Sequence, residues 1–176
     1  MTLPNLITIG RLLIVPLVVV MIGQGQWATA FLLFVAAGAS DAVDGFIARR
    51  FDMRSEFGAY IDAVADKALL VSIYVSLAVV GVLPGWLAIV VVSRDIMIIG
   101  AIIIPWLMGR PVAIQPLTIS KLNTAVQIAF AALFLFKMAF GFELGRFDLV
   151  AMWVVAALTA ASAAAYLAGW LRHMAA

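Results

Sequence analysis

Two pairs of aspartates at helical spacing, Asp41 with Asp44 and Asp62 with Asp66, stand in a chain of which 66% of the residues are hydrophobic. A carboxylate at the centre of a membrane helix costs about 2.5–3.5 kcal/mol on insertion scales, so four of them require about 10–14 kcal/mol of compensation from cations, water or pairing. Their neighbours narrow the choice. At about 100° per residue, Asp41, Asp44, Gly45, Ala48 and Arg49 share a face of about 140° on one helix, while Gly58, Asp62 and Asp66 line up on the next. Glycine and alanine there let a flat ring or a phosphate approach the backbone, and Arg49 can fork onto a phosphate. Carboxylate oxygens are hard ligands that select Mg²⁺ or Mn²⁺. These residues describe a diphosphate held by two divalent cations and set for in-line displacement at phosphorus. An attacking hydroxyl also needs a base. Asp66, the deepest of the row, is expected to hold metal and accept that proton.

The elements that must position these groups are apolar runs of about 20 residues, the length a bilayer helix needs. Six occur, at 4–22, 27–50, 56–80, 85–108, 117–140 and 147–171, separated by short linkers. They predict an all-α polytopic membrane protein with six transmembrane helices in a single domain over residues 1–176, with kinks at Pro16 and Pro105. Trp86, Trp106, Trp153 and Trp170 are expected to serve as interface anchors or packing residues. Arg49, Arg50, Arg54, Arg110 and Arg172 gather after the second and fourth runs and near the C-terminus, which places both termini and the aspartate-bearing linker in the cytoplasm. The short linker over residues 51–55 makes the second and third helices antiparallel neighbours whose acids can face one another. Asp62 and Asp66 then lie about 9 Å and about 15 Å below Glu56, in a cavity open to the cytoplasm. No segment ahead of the first run reads as a cleavable signal, so the N-terminus is expected to belong to the mature protein, in a bacterial inner membrane.

Composition excludes other chemistries. The net charge of +2 gives no basic face for nucleic acid, and the absence of cysteine removes disulfides and thiolate ligands. His173 is the one histidine and lies near the end of the chain, where a zinc site is not expected.

The full pattern, Asp41-x2-Asp44-Gly45-x2-Ala48-Arg49-x8-Gly58-x3-Asp62-x3-Asp66, resembles the signature of the CDP-alcohol phosphotransferase family at every specified position. The resemblance implies that Asp41, Asp44, Asp62 and Asp66 bind two divalent metals. It also implies that Asp41, Gly45, Ala48, Arg49 and Gly58 hold the CDP group and that Asp66 is the base. Six transmembrane helices and a homodimer are implied as well. Ala63 departs from the proline that many phospholipid-making members carry after the third aspartate; this removes no ligand.

The remaining buried charges bear on the acceptor. Arg94 falls mid-way along the fourth helix at about the depth of Asp66, and Lys121 near the start of the fifth. Together with Arg110 at the entrance and Arg11 in the first helix, they are expected to bind the phosphate of an acceptor alcohol. Alternatively, Arg94 pairs with Asp95 or Asp66 and only neutralises charge, while Lys121 and Arg11 snorkel to the interface. The segments Pro4 to Arg11, Ser93 to Met97, Ile119 to Gln127 and Thr159 to Ala163 resemble mitochondrial-type cardiolipin synthases. That resemblance implies CDP-diacylglycerol and phosphatidylglycerol as substrates, with cardiolipin and CMP as products. Phosphatidylglycerophosphate synthases, which use glycerol 3-phosphate, share the opening and the aspartates but typically carry Gly-Lys-x-Lys-Thr in the fifth helix. Here Asn123 stands in place of the second lysine, and one cation fewer suits a phosphodiester better than a phosphate dianion. Two readings of other kinds stay open: an ion-coupled transporter that relays H⁺ or Na⁺ through the aspartates, and carboxylates salt-bridged to Arg94 or Lys67 as packing devices.

Overall fold

Backbone that crosses hydrocarbon must satisfy its own hydrogen bonds, and the described residues form helices with no strand. The structure is a computed structural model that describes the backbone of residues 3–50, 56–107 and 118–174, and the side chains of 10–41, 43, 65–100 and 118–171. Six helices follow in order: α1 (Leu3–Gly23), α2 (Trp27–Arg50), α3 (Glu56–Val79), α4 (Gly85–Leu107), α5 (Thr118–Phe140) and α6 (Arg146–Met174). These bounds follow the apolar runs closely, except that α6 continues past residue 171 through Arg172 and His173. Polar side chains end an apolar run without ending a helix, because the backbone bonds do not depend on them. α1 continues through Pro16.

Among the described residues, two helical stretches, Thr118–Phe140 and Arg146–Leu171, are long and apolar enough to cross a bilayer; Gly10–Gly23 and Trp27–Asp41 are shorter apolar stretches. Large apolar side chains such as Leu13, Leu17, Leu32, Ile89, Ile96 and Phe147 point outward, as lipid-facing surface requires. With a mean hydropathy of +1.19, this is a membrane protein.

The chain divides into two compact units. The first comprises residues 1–83 and 131–143. In it α1 packs against both α2 and α3. Val18 and Ile22 of α1 are buried, as are Ala30, Phe34 and Ala37 of α2 and Leu69, Ile73 and Leu77 of α3, each set recurring at the three- or four-residue helical interval. Phe31 of α2 meets Phe136 edge-on at 5.5 Å between ring centroids, and Phe136 stacks with Phe142 at 5.4 Å.

The ends of α1 and α3 explain two tight turns. Gly25 has φ of 70°, and the amides of Gly25 and Gln26 return to the carbonyls of Ile22 and Met21 at 3.0 and 2.8 Å. Gly81, at φ of 77°, repeats the arrangement with Ala78 and Leu77. This is the Schellman closure, in which a left-handed residue lets two orphan carbonyls find donors. A Cβ at Gly81 would meet nothing within 4 Å, so an added methyl would cost only backbone strain. Gly81→Ala should therefore lower stability by about 1–2 kcal/mol, read as an earlier unfolding midpoint in detergent.

The second unit comprises residues 84–130 and 144–176. Here α4 packs on α6, and Leu87, Ala88 and Val91 of α4 and Val155 and Ala156 of α6 are buried. Trp86 and Trp153 pair at 5.4 Å between centroids. Residues 118–130 of α5 belong to this unit.

Candidate active site

Within the first unit, α1, α2 and α3 bring Arg11, Asp41 and Asp66 together. One guanidinium nitrogen, Arg11 Nη1, lies 2.7 Å from Asp66 Oδ1 and 3.1 Å from Asp41 Oδ1. It donates a hydrogen bond to Asp66. The Arg11 side chain is only 1% exposed, whereas Asp41 and Asp66 are 42% and 46% exposed. A buried cation is thus paired with two carboxylates that are themselves part-exposed. Such pairs are held by charge-assisted hydrogen bonding, moderated here by the exposure of the acids. The packing of α1 on both α2 and α3 is what places the arginine between them.

For Asp41 and Asp66, a positively charged partner among the described residues is therefore Arg11. Two carboxylate oxygens from different helices that already share one cation form a hard, anionic, part-exposed donor pair, which fits a divalent ion in donor type. No group of three or more acidic or imidazole side chains gathers among the described residues. Asp44, Gly45, Ala48 and Arg49 lie on α2, and Gly58 and Asp62 on α3, with side chains outside the described ones. Arg110 lies outside the described residues altogether.

The second unit contains a buried polar network that joins three helices. Arg94 is buried on α4, and its Nη1 donates to Asp95 at 2.5 Å. Its Nη2 donates to Ser120 of α5 and, at 3.0 Å, to Ser162 of α6, which also accepts from Nε at 3.2 Å. All three guanidinium nitrogens are engaged. Further along, Gln127 Nε2 donates to Thr159 Oγ1 at 3.1 Å, and that hydroxyl donates to Asn123 Oδ1 at 3.0 Å. Asn123, with 0% exposure, has its Nδ2 without a hydrogen-bond partner among the described residues. Lys121 is exposed and forms no ion pair among them.

Arg94 pairs with its neighbour Asp95. The roles of Ser120, Gln127, Thr159 and Ser162 in this network were not anticipated from the sequence. Their signal was present: Ser120, Asn123 and Gln127 recur at i, i+3 and i+7, and Thr159 and Ser162 at i and i+3, which sets polar groups on one stripe of each apolar helix.

Comparison with known proteins adds a second line of observation. The model of the family described as CDP-alcohol phosphatidyltransferase matches residues 1–161. A Drosophila melanogaster protein named "Probable cardiolipin synthase (CMP-forming)" is 34% identical over 180 residues, covering 93% of this chain and 56% of the relative. A chloroplastic CDP-diacylglycerol–glycerol-3-phosphate 3-phosphatidyltransferase from Oryza sativa subsp. japonica is 33% identical over 185 residues, covering 94% and 56%. The Bacillus subtilis (strain 168) protein named for that same glycerol-3-phosphate reaction is 30% identical over 176 residues, covering 91% and 90%. The chain thus spans a little over half the length of the fly and rice proteins and most of the bacterial one.

Proposed function

The chain belongs to the CDP-alcohol phosphatidyltransferase family, and from that premise we propose that it transfers the phosphatidyl group of CDP-diacylglycerol to phosphatidylglycerol, giving cardiolipin and CMP. The observation that carries the reading is the meeting of Asp41 and Asp66, from different helices, on one buried guanidinium. It supports a site in which the acids of α2 and α3 work on a common ligand.

In this reading Asp41, Asp44, Asp62 and Asp66 hold two divalent cations, Mg²⁺ or Mn²⁺, which when bound offset the pyrophosphate charge and stabilise the departing phosphate. Asp41, Gly45, Ala48, Arg49 and Gly58 hold the CDP group. The acceptor hydroxyl gives its proton to Asp66 as its oxygen bonds to the phosphatidyl phosphorus, and the bond from that phosphorus to the CMP oxygen breaks on the opposite side. The enzyme crosses the bacterial inner membrane six times, with both termini and the site facing the cytoplasm, and works as a homodimer.

Phosphatidylglycerophosphate synthesis from glycerol 3-phosphate is the second reading, favoured by the names of the rice and Bacillus relatives. The neutral, buried Asn123 on α5 supports the diester acceptor, because it leaves one cation fewer for a phosphate dianion. The family match leaves ion-coupled transport without support. Purified enzyme offered CDP-diacylglycerol with each acceptor in turn decides between the two: cardiolipin is the expected product. Phosphatidylglycerophosphate formed without cardiolipin would reverse the assignment.

A further inference from the structure

We infer that Arg11 is an internal counter-cation which bridges Asp41 and Asp66 in the metal-free protein and must give up that bridge when a divalent cation binds. The inference rests on the proposal that these two carboxylates hold metal, and it concerns what the chain itself does before they do.

Three observations carry it. First, one nitrogen serves both acids, at 2.7 and 3.1 Å, so the guanidinium stands where a bridging ion would draw on the same two Oδ1 atoms. Second, the burial is inverted with respect to a surface salt bridge: the arginine is 1% exposed and the acids are nearly half exposed. The cation approaches from α1, on the buried side, while both acids keep nearly half of their side-chain surface exposed. Third, the two acids come from different helices, so the bridge restrains α2 and α3 against each other through α1. Like charges brought close without a counter-ion repel, and here the chain supplies the counter-ion itself.

The consequence is competition. A group that holds the ligands in the metal-free state opposes metal binding, by the reciprocity that governs any two ligands of one site. Charge-assisted hydrogen bonds correspond to roughly 10- to 100-fold in an equilibrium constant, and the exposure of both acids points to the lower end, about tenfold. In return, the metal-free site is kept assembled rather than splayed by repulsion. Arg11 is thus a positioning residue whose removal should tighten metal binding, the opposite sign from loss of a structural support.

The test uses the full chain in detergent, stripped of metal and titrated with Mn²⁺ while free Mn²⁺ is followed by its paramagnetic resonance. Arg11→Gln should lower the Kd for Mn²⁺ about tenfold, whereas Arg11→Lys, which keeps the charge, should stay near the wild type. In chelator, Arg11→Gln should melt below the wild type, and saturating Mn²⁺ should close that gap. Unchanged or weaker Mn²⁺ binding by Arg11→Gln overturns the inference and leaves the metal reading intact. Failure of the wild type itself to bind Mn²⁺ removes the metal reading and the inference with it. If Arg11→Gln folds only when purified with Mn²⁺, that dependence supports the inference; failure to recover with Mn²⁺ counts against it.

Discussion

Asp66→Asn should reduce CMP release from CDP-diacylglycerol by roughly 10²–10⁴-fold, the usual contribution of a positioned base, with further loss from a weakened metal site. The substitution keeps shape and leaves an amide oxygen able to accept the 2.7 Å hydrogen bond from Arg11 Nη1. What it removes is the negative charge and the capacity to take a proton. A loss of activity without a collapse of the fold is therefore the specific expectation, and the thermal midpoint measured beside the rate separates the two. A variant that releases CMP at a near-normal rate would refute the role of Asp66 as base. A variant that loses both activity and folding would shift its role toward bracing α1 against α3.

Arg94→Leu is expected to be the most damaging single change in the second unit. It removes the guanidinium from Asp95, a carboxylate that is 5% exposed, and takes the donors from Ser120 and Ser162. Breaking a buried ion pair by deleting one partner typically costs about 3–5 kcal/mol, whereas replacing both partners by apolar residues is often neutral. The double variant Arg94→Leu with Asp95→Leu should therefore recover most of the lost stability. Equilibrium denaturation of the four members of the cycle, in one detergent, gives the coupling directly. A single variant as stable as the wild type would mean that the pair contributes nothing to the unit's stability.

The helices were legible because long apolar runs announce themselves, and the turns between them carry Gly25 and Gly81 at left-handed φ within the expected linkers. The end of α6 was less so, since Arg172 and His173 interrupt apolarity but not backbone pairing. At the site, helical spacing alone put Asp41 and Asp66 on faces that could approach each other. It could not say which cation would stand between them. That depends on how α1 lies across α2 and α3, a tertiary fact, so Arg11 could be read equally as a phosphate ligand or a snorkelling residue. Arg94 posed the same difficulty, with its neighbour Asp95 as one of two partners. The hydroxyls and amides of α5 and α6 were hidden differently: each is a common polar residue in an apolar helix, and their meaning comes from partners 26 to 68 positions away.

Thr159 and Ser162 sit one turn apart on α6, yet the first reaches α5 and the second reaches α4. The positions around them, Ala160, Ala161 and Ala163, offer only methyl groups. Spinning α6 by one residue, about 100°, would present those methyls to Gln127, Asn123 and Arg94, taking their hydroxyl partner from the two amides of α5 and one of its acceptors from Arg94. Two hydroxyls on an otherwise greasy rod therefore work as a key, admitting one rotational setting of α6 and refusing its neighbours, in surroundings where apolar contact alone distinguishes poorly between them.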